Sequence, residues 1–109
     1  MRKSADGIAA FETLEGERSR VVGSLDFAKV TKLLPLGTAA IDGGRAGVID
    51  LSGVTCSDSS GLALLIEWLS VAKEARRSLR YENMPTQLHQ LARLSEVDEL
   101  LLANQEPVS

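Results

Sequence analysis

Short runs containing Ile, Phe, Val and Leu at the start of the chain predict two strands. The runs extend from Ile8 to Leu14 and from Ser19 to Leu25, and Glu15-Gly16-Glu17-Arg18 between them has the composition of a hairpin connection. Apolar residues then recur at helical spacing at Phe27, Val30, Leu33 and Leu34. Because Pro35 has no backbone N–H to donate, we expect this helix to break there or a new helix to start.

The centre of the chain contains the clearest strand and helix patterns. Gly47 to Leu51 is a short apolar run with β-branched residues, which is typical of a central, buried strand. An amphipathic helix that runs to about Arg77 is predicted by the i, i+3, i+4, i+7 spacing of Leu62, Leu65, Ile66 and Leu69.

The last part of the chain completes an alternating order of strands and helices. Leu79 to Met84 predicts a strand, Pro85 the first residue of a helix, and Val97 to Leu102 a last strand or short helix. The resulting order, β-β-α-β-α-β-α with one terminal element, implies right-handed crossovers between parallel strands and an antiparallel edge from the opening hairpin. We predict an α/β fold with a mixed sheet and helices packed mainly on one face.

Length and composition restrict what such a fold can do. A chain of 109 residues is expected to form a single domain spanning residues 1–109. Its apolar share of 44% and charged share of 25% are typical of folded globular proteins. A net charge of −3 argues against nucleic acid as a partner, because phosphate binding needs clustered Lys and Arg side chains.

The expected compartment is the cytoplasm. Cys56 is the single cysteine and cannot form an internal disulfide, and the first residues lack the pattern of a secretory signal. The longest apolar stretch, around Gly61 to Ile66, is interrupted by Glu67 and Ser70 and is far shorter than the ~20 residues of a spanning helix. No direct membrane insertion is expected, so association with a membrane would come through a partner.

Patterns for catalysis and metal binding are weak. His89 is the only histidine and lies among polar neighbours on a predicted helix, which is typical of a solvated side chain. The serines after Cys56 lack the G-x-S-x-G arrangement of a nucleophile. Gly43-Gly44-Arg45 precedes a strand and lacks the Lys-Ser/Thr ending of a phosphate-binding loop, which favours a turn. We predict a protein that is not an enzyme and uses no metal or cofactor.

The polar segment Ser57-Asp58-Ser59-Ser60-Gly61 separates the buried strand from the amphipathic helix. One interpretation is helix capping alone, in which Ser57 or Asp58 accepts a free backbone N–H, worth ~1 kcal/mol. Capping needs only one such residue, however. Four polar residues in a row at the carboxyl end of a strand would form an exposed polar surface, so the excess of hydroxyl groups favours a contact surface for a partner.

A strand followed by Asp58-Ser59-Ser60-Gly61-Leu62 at the start of an amphipathic helix resembles the signature of the STAS domain family, found in anti-sigma-factor antagonists and transporter subunits. The earlier Gly23-Ser24-Leu25-Asp26 resembles the Gly-x-Leu-Asp turn that ends the second strand in that family. The resemblance extends over roughly Ile8 to Leu102, the expected core of the domain. It implies that Ser57 to Gly61 bind a partner and that Ser59 occupies the position phosphorylated in the antagonists.

Within the family, the sequence is most similar to the small cytoplasmic STAS subunits of Mla phospholipid transporters, in segments Gly61 to Trp68, Leu33 to Leu36 and Leu91 to Leu94. This resemblance implies a non-catalytic subunit, peripheral to the inner membrane, that binds and regulates the ATPase of an ABC complex with its permease and substrate-binding subunits. Such a complex would maintain outer-membrane lipid asymmetry. The sequence has Asp-Ser-Ser-Gly where those subunits often have Asp-Thr-Gly-Gly. The alternative is therefore an antagonist that binds an anti-sigma kinase and is switched by phosphorylation at Ser59.

Trp68 lies roughly 80–100° from the core stripe of its helix, on a second stripe shared with Leu64, Val71 and Ala75. It is either a flanking core residue or, if this stripe is exposed, part of an apolar contact strip near Ser59. Tryptophan is enriched in protein interfaces, so we include Leu64 and Trp68 among the predicted partner-binding residues.

Overall fold

The computed structural model describes residues 9–103, which form four strands and four helices. In chain order these are β1 (Ala9–Thr13), β2 (Arg18–Leu25), α1 (Phe27–Asp42), β3 (Val48–Ser57), α2 (Ser59–Glu74), β4 (Arg80–Glu82), α3 (Thr86–Leu94) and α4 (Asp98–Ala103). The predicted start of the first strand, at Ile8, lies outside the described residues. The predicted order of strands and helices is otherwise found, with a helix as the terminal element.

The strands form one mixed sheet in the order β1-β2-β3-β4. β1 pairs antiparallel with β2, and β3 pairs parallel with both β2 and β4. Along β2, Val21 is buried, whereas Arg18 and Arg20 lie on the opposite face and form ion pairs with Glu82 of β4 and Glu12 of β1. Ion pairs thus cover one face and helices pack on the other, which confirms the predicted α/β fold.

Helix α1 continues through Pro35, so the predicted break at this residue is wrong. Proline removes the hydrogen bond to the carbonyl of Thr31, but both residues are exposed and water can bond to that carbonyl. On α2, Trp68 donates through Nε1 to the Leu34 carbonyl at 3.2 Å, and Ile41 is buried further along α1. Packing on both sides of Pro35 therefore offsets the ~3 kcal/mol cost of an internal proline.

Strand β3 is longer than predicted, because it continues past Leu51 to Ser57. Its pairing with β2 has register shifts at two places, between Arg20 and Val22 and between Gly23 and Ser24. Such bulges insert extra residues and interrupt the alternation of buried and exposed positions from which strands are predicted. The extension carries the chain directly to the polar segment that starts α2.

Three other boundaries differ from the sequence-based expectation. α2 ends before the predicted Arg77, because Arg76 has a φ of 59° and the Arg77 N–H donates back into the helix at 2.8 Å. Pro85 precedes α3 as its N-cap residue and is not its first residue. β4 covers only Arg80–Glu82 and is shorter than the predicted strand.

The side chains of α2 form the centre of the core. Leu65 and Trp68 are buried, and Trp68 packs edge to face against Phe11 of β1 with ring centroids 5.6 Å apart. The Tyr81 hydroxyl of β4 donates to the Leu65 carbonyl at 2.6 Å, and burial raises the pKa of Tyr81 well above its ordinary value. These contacts fix α2 against the sheet and therefore fix the position of its first turn.

Candidate functional site

Two helices begin side by side at the carboxyl ends of the two central strands, β2 and β3. β2 ends at Leu25 and β3 ends at Ser57, and these two residues are partners in the parallel pairing. Asp26 and Asp58 follow them directly as the N-cap residues of α1 and α2. The Asp58 N–H also donates to the Leu25 carbonyl at 3.2 Å, which joins the two strand ends. Open α/β sheets bind ligands at the carboxyl ends of their strands, so this end of the sheet is the candidate site.

Asp58 caps α2 and is one of the two residues, with Ser57, that the sequence offered as the N-cap. Its Oδ1 accepts a hydrogen bond from the Ser60 N–H at 2.8 Å, and its backbone has the extended conformation of an N-cap residue. The side chains of Asp58 and Ser59 are exposed, and Ser60 is half-buried. Capping therefore accounts for Asp58, whereas the Ser59 side chain projects into solvent at the first position of the helix.

Ser57 and Gly61 support this turn from below. Ser57 is buried, and its Oγ donates to the Asp58 carbonyl at 3.0 Å. A Cβ at Gly61 would collide with Ser57 Oγ and would lie 2.8 Å from the Leu25 Cβ. Only glycine lets the first turn of α2 approach the end of β2 this closely. The structure thus brings the five predicted residues of the segment together, with Asp58 and Ser59 outermost.

Gln87, in the first turn of α3, contacts the segment but was not predicted from the sequence. Its side-chain Oε1 accepts a hydrogen bond from the Ser57 backbone N–H at 3.0 Å. β4 pairs with β3 only from Val48 to Asp50, and further along Asn83 donates to the Asp50 carboxylate at 2.9 Å. Side chains that follow β4 thus bond to β3 at Asp50, where its pairing with β4 ends, and at Ser57, beyond that pairing. No local pattern indicates such a bond, because its partners are 30 residues apart.

Asp26 and Phe27, at the start of α1, form the second part of the candidate site. Asp26 Oδ1 accepts from the Lys29 N–H at 3.0 Å, and its Oδ2 pairs with Lys29 Nζ at 2.8 Å. Hydrogen bonds from the Lys29 side chain and then from its backbone lower the pKa of Asp26. Phe27, the first residue of α1, is exposed. The Gly-x-Leu-Asp resemblance includes Asp26, whereas the helical spacing that includes Phe27 does not indicate that its ring is exposed.

Of the two alternatives for Trp68, the structure shows the flanking core position, so the inclusion of Leu64 and Trp68 in an exposed contact strip is wrong. The relative exposure is 4% for Leu64 and 0% for Trp68. The second stripe of α2 faces α1, where a Cβ at Gly37 would overlap the Trp68 ring. Because α1 lies this close, the Trp68 stripe is a helix–helix contact within the domain and is not available to a partner.

The described residues contain no cluster of three or more His, Cys, Asp or Glu side chains that could hold a metal ion. Between residues 9 and 103, no helix is both long enough and apolar enough to cross a membrane. The candidate site consists of the helix-capping carboxylate of Asp58, an exposed hydroxyl at Ser59 and an exposed phenyl ring at Phe27. Its chemistry suits a surface for contact with another macromolecule.

Comparisons with known proteins agree with this architecture. The family model described as "Mlab, STAS domain" matches residues 12–103. The anti-sigma factor antagonist SpoIIAA in its unphosphorylated form superimposes with a TM-score of 0.65 and 16% sequence identity, covering 94% of this chain and 100% of that chain. The Bacillus cell fate determinant SpoIIAA in the phosphorylated form gives a TM-score of 0.63 and 18% identity, covering 83% of this chain and 85% of that chain.

These identities establish similarity of fold alone, and no curated protein matches the sequence. The family match extends over residues 12–103, which include both strand ends of the candidate site. The fold and the match agree with the resemblance noted at Asp58 to Leu62. The chain therefore belongs to the STAS domain family and is of the MlaB type.

Proposed function

We propose that the protein is a non-catalytic, cytoplasmic STAS subunit that binds and regulates the ATPase of an inner-membrane ABC complex for phospholipid transport. The observation that carries this proposal is the MlaB-type match over residues 12–103, which includes the exposed residues Asp58 and Ser59 at the start of α2. Through the ATPase the subunit joins the permease and substrate-binding subunits, and the complex maintains the lipid asymmetry of the outer membrane.

The geometry of the turn supports a direct protein contact. Ser59 carries a short side chain at the first position of α2, and the buried Ser57 and Gly61 hold the turn from beneath. A partner surface can therefore approach the backbone of α2 closely, and the Ser59 hydroxyl is free to bond with it. Such a contact leaves no room for a large side chain. A bulky residue in place of Ser59 should therefore disrupt the contact while the fold stays unchanged.

The test is affinity purification of the tagged full chain from native membranes, comparing wild type with Ser59→Arg. Ser70→Arg is the matched control, because Ser70 is also an exposed serine on α2 and lies 11 residues beyond Ser59. We expect wild type and Ser70→Arg to recover the ATPase and its permease, and Ser59→Arg to lose them. Recovery of both subunits with Ser59→Arg at the wild-type level would contradict docking at this turn.

The second candidate is an antagonist that binds an anti-sigma kinase and is switched by phosphorylation at Ser59. Two observations favour it: the SpoIIAA structures share the fold, and this chain has Asp-Ser-Ser-Gly at the turn. An exposed hydroxyl at the start of α2 is accessible to a kinase, and a phosphate there is favoured by the helix dipole. Recovery of an anti-sigma kinase in place of an ATPase and permease would establish this candidate over the transporter subunit.

A further inference from the structure

We propose that Phe27 is an anchor of the same partner surface, so that the partner covers the starts of both α1 and α2. This inference rests on the proposed function, because the partner is the ATPase subunit that docks on the turn at Ser59. It assigns the partner a specific chemistry: an apolar pocket for the phenyl ring beside a basic group that faces Asp58.

The sheet places Phe27 and Ser59 in equivalent positions. Each is the first residue of a helix, and each follows an N-cap aspartate at the end of one of two paired strands. Side chains in a helix tilt toward its N-terminus, so those of Phe27 and Ser59 both point toward the end of the sheet where the two helices begin. The bond from the Asp58 N–H to the Leu25 carbonyl holds the two helix starts together.

The exposure of Phe27 is unusual for its size. Its relative exposure is 72%, and among the large apolar residues that the structure describes only Leu94, at 82%, is more exposed. Burial of an exposed aromatic ring by a partner lowers the free energy of the complex. Aromatic side chains are also frequent among the residues that dominate binding. The ring is also presented by an ordered helix start, because Lys29 bonds to Asp26 through both its backbone and its side chain. Little conformational freedom of the backbone then remains to be lost on docking.

The charges at the edge indicate what lies beside the pocket. Asp26 forms an ion pair with Lys29, whereas Asp58 forms none with any residue between 9 and 103. The Asp58 carboxylate is exposed, and only its Oδ1 is used for the cap. A lysine or arginine of the partner would complement this carboxylate and would speed association at low ionic strength.

The experiment is a binding titration of the full chain with the purified ATPase subunit of the phospholipid transporter from the same genome. Phe27→Ser should raise Kd at least tenfold, and Phe27→Leu, which keeps an apolar side chain, should raise it less. Leu94→Ser is the matched control, because it removes an even more exposed apolar residue at the far end of α3 and should change Kd less than twofold. Circular dichroism spectra and thermal midpoints would verify that all variants remain folded.

The partner's basic group has its own test. Asp58→Asn keeps a good N-cap residue and removes only the charge, so association should slow severalfold at low salt, and the difference should shrink as salt is added. Equal association rates for Asp58→Asn and wild type at low salt would contradict the proposal that a basic group of the partner faces Asp58.

The outcomes separate this inference from the proposed function. If wild type and Leu94→Ser bind, Ser59→Arg does not, and Phe27→Ser binds as tightly as wild type, the Phe27 anchor is wrong and the docking turn stands. If Phe27→Ser abolishes only self-association of the chain, the ring is covered by a second copy and the anchor is also wrong. If wild type fails to bind the ATPase, the proposed function is overturned, and this inference falls with it.

Discussion

At the scale of single residues, neighbouring residues at the first turn of α2 have different structural roles. Asp58 satisfies the helix backbone, Ser57 and Gly61 are buried beneath the turn, and Ser59 projects into solvent. A substitution at Ser59 can therefore alter the surface while the residues that shape the turn remain in place. The reverse holds for Gly61, where any side chain would collide with Ser57 and Leu25.

A negative charge at Ser59 should weaken binding of the partner. Ser59→Asp introduces a longer, charged side chain where the partner closely contacts the Ser59 hydroxyl. We expect Kd for the ATPase to rise at least fivefold, because packing is lost and the new carboxylate is desolvated while the partner's basic group is already paired with Asp58. The fold should be unaffected, because an acidic residue at the start of a helix is favourable. Binding titrations measure the effect, with Ser70→Asp as the control. If Ser59→Asp binds as tightly as wild type, the segment acts only as a helix cap.

Gln87 should stabilise the segment through a single hydrogen bond. Gln87→Leu removes the acceptor for the Ser57 N–H, and we expect the free energy of unfolding to fall by ~0.5–1.5 kcal/mol, the net contribution of one part-buried hydrogen bond. Gln87→Glu keeps an acceptor and should cost less. Gln90→Leu, an exposed glutamine of the same helix, is the control in urea denaturation. Equal losses for Gln87→Leu and Gln90→Leu would show that the bond contributes nothing.

At the scale of elements, the close contact of α1 with α2 determines which side of α2 is buried. Gly37 lies against the Trp68 ring, and the Trp68 indole donates to the Leu34 carbonyl on the adjoining turn of α1. This contact buries the side of α2 on which Leu64 and Trp68 lie. It also supports α1 around Pro35, so one helix–helix contact accounts for the continuous α1 and for the burial of Trp68.

Gly37→Ala should destabilise the protein although alanine favours helices. The added methyl group would overlap the Trp68 ring, and overpacking of a core costs ~1–3 kcal/mol, against a helix-propensity gain of ~1 kcal/mol. Because the overlap is with a buried ring, the upper part of the overpacking range applies, and we expect a net loss of ~1–2 kcal/mol in the free energy of unfolding by urea denaturation. Trp68→Leu makes room, so Gly37→Ala should cost less in that background. An equal cost in both backgrounds would mean that the overlap is not the cause.

At the scale of the whole molecule, three carboxylates in different elements link stability to pH. Hydrogen bonds from Lys29, Asn83 and Arg18 respectively are the largest causes that lower the pKa of Asp26, Asp50 and Glu82. A lowered folded-state pKa means that the unfolded chain takes up protons first as the pH falls. These groups therefore add stability that is fully present above their ordinary pKa values of 3.8 and 4.5 and is lost in more acidic solution.

The thermal midpoint should accordingly stay nearly constant from pH 7 to about 5 and fall below pH 4. Asp50→Asn removes one of the three groups, so its midpoint should decline less steeply between pH 4 and 2 than that of wild type. Circular dichroism melts at matched ionic strength measure both. A wild-type midpoint that rises on acidification would contradict the assigned pKa directions.

The parts of the molecule that the sequence predicted are those that depend on local patterns. The amphipathic spacing of α2, the hairpin of β1 and β2, and the cap at Asp58 each involve residues close together in the chain. The Gln87 bond, the burial of Trp68 and the bulged extension of β3 depend on partners that only the fold brings together. Phe27 shows the same limit, because helical spacing alone does not distinguish a core position from an exposed one.

The burial of Trp68 has a spectroscopic consequence. Trp68 is the only tryptophan of the sequence, it is fully buried, and it lies nine residues after Ser59 along α2, about 13 Å along the helix axis. Unfolding would transfer this indole from an apolar environment to water and shift its fluorescence emission to longer wavelength. Substitutions at Phe27 or Ser59 leave its surroundings unchanged. A single emission spectrum of the free protein therefore distinguishes a variant that has lost its partner from one that has lost its fold.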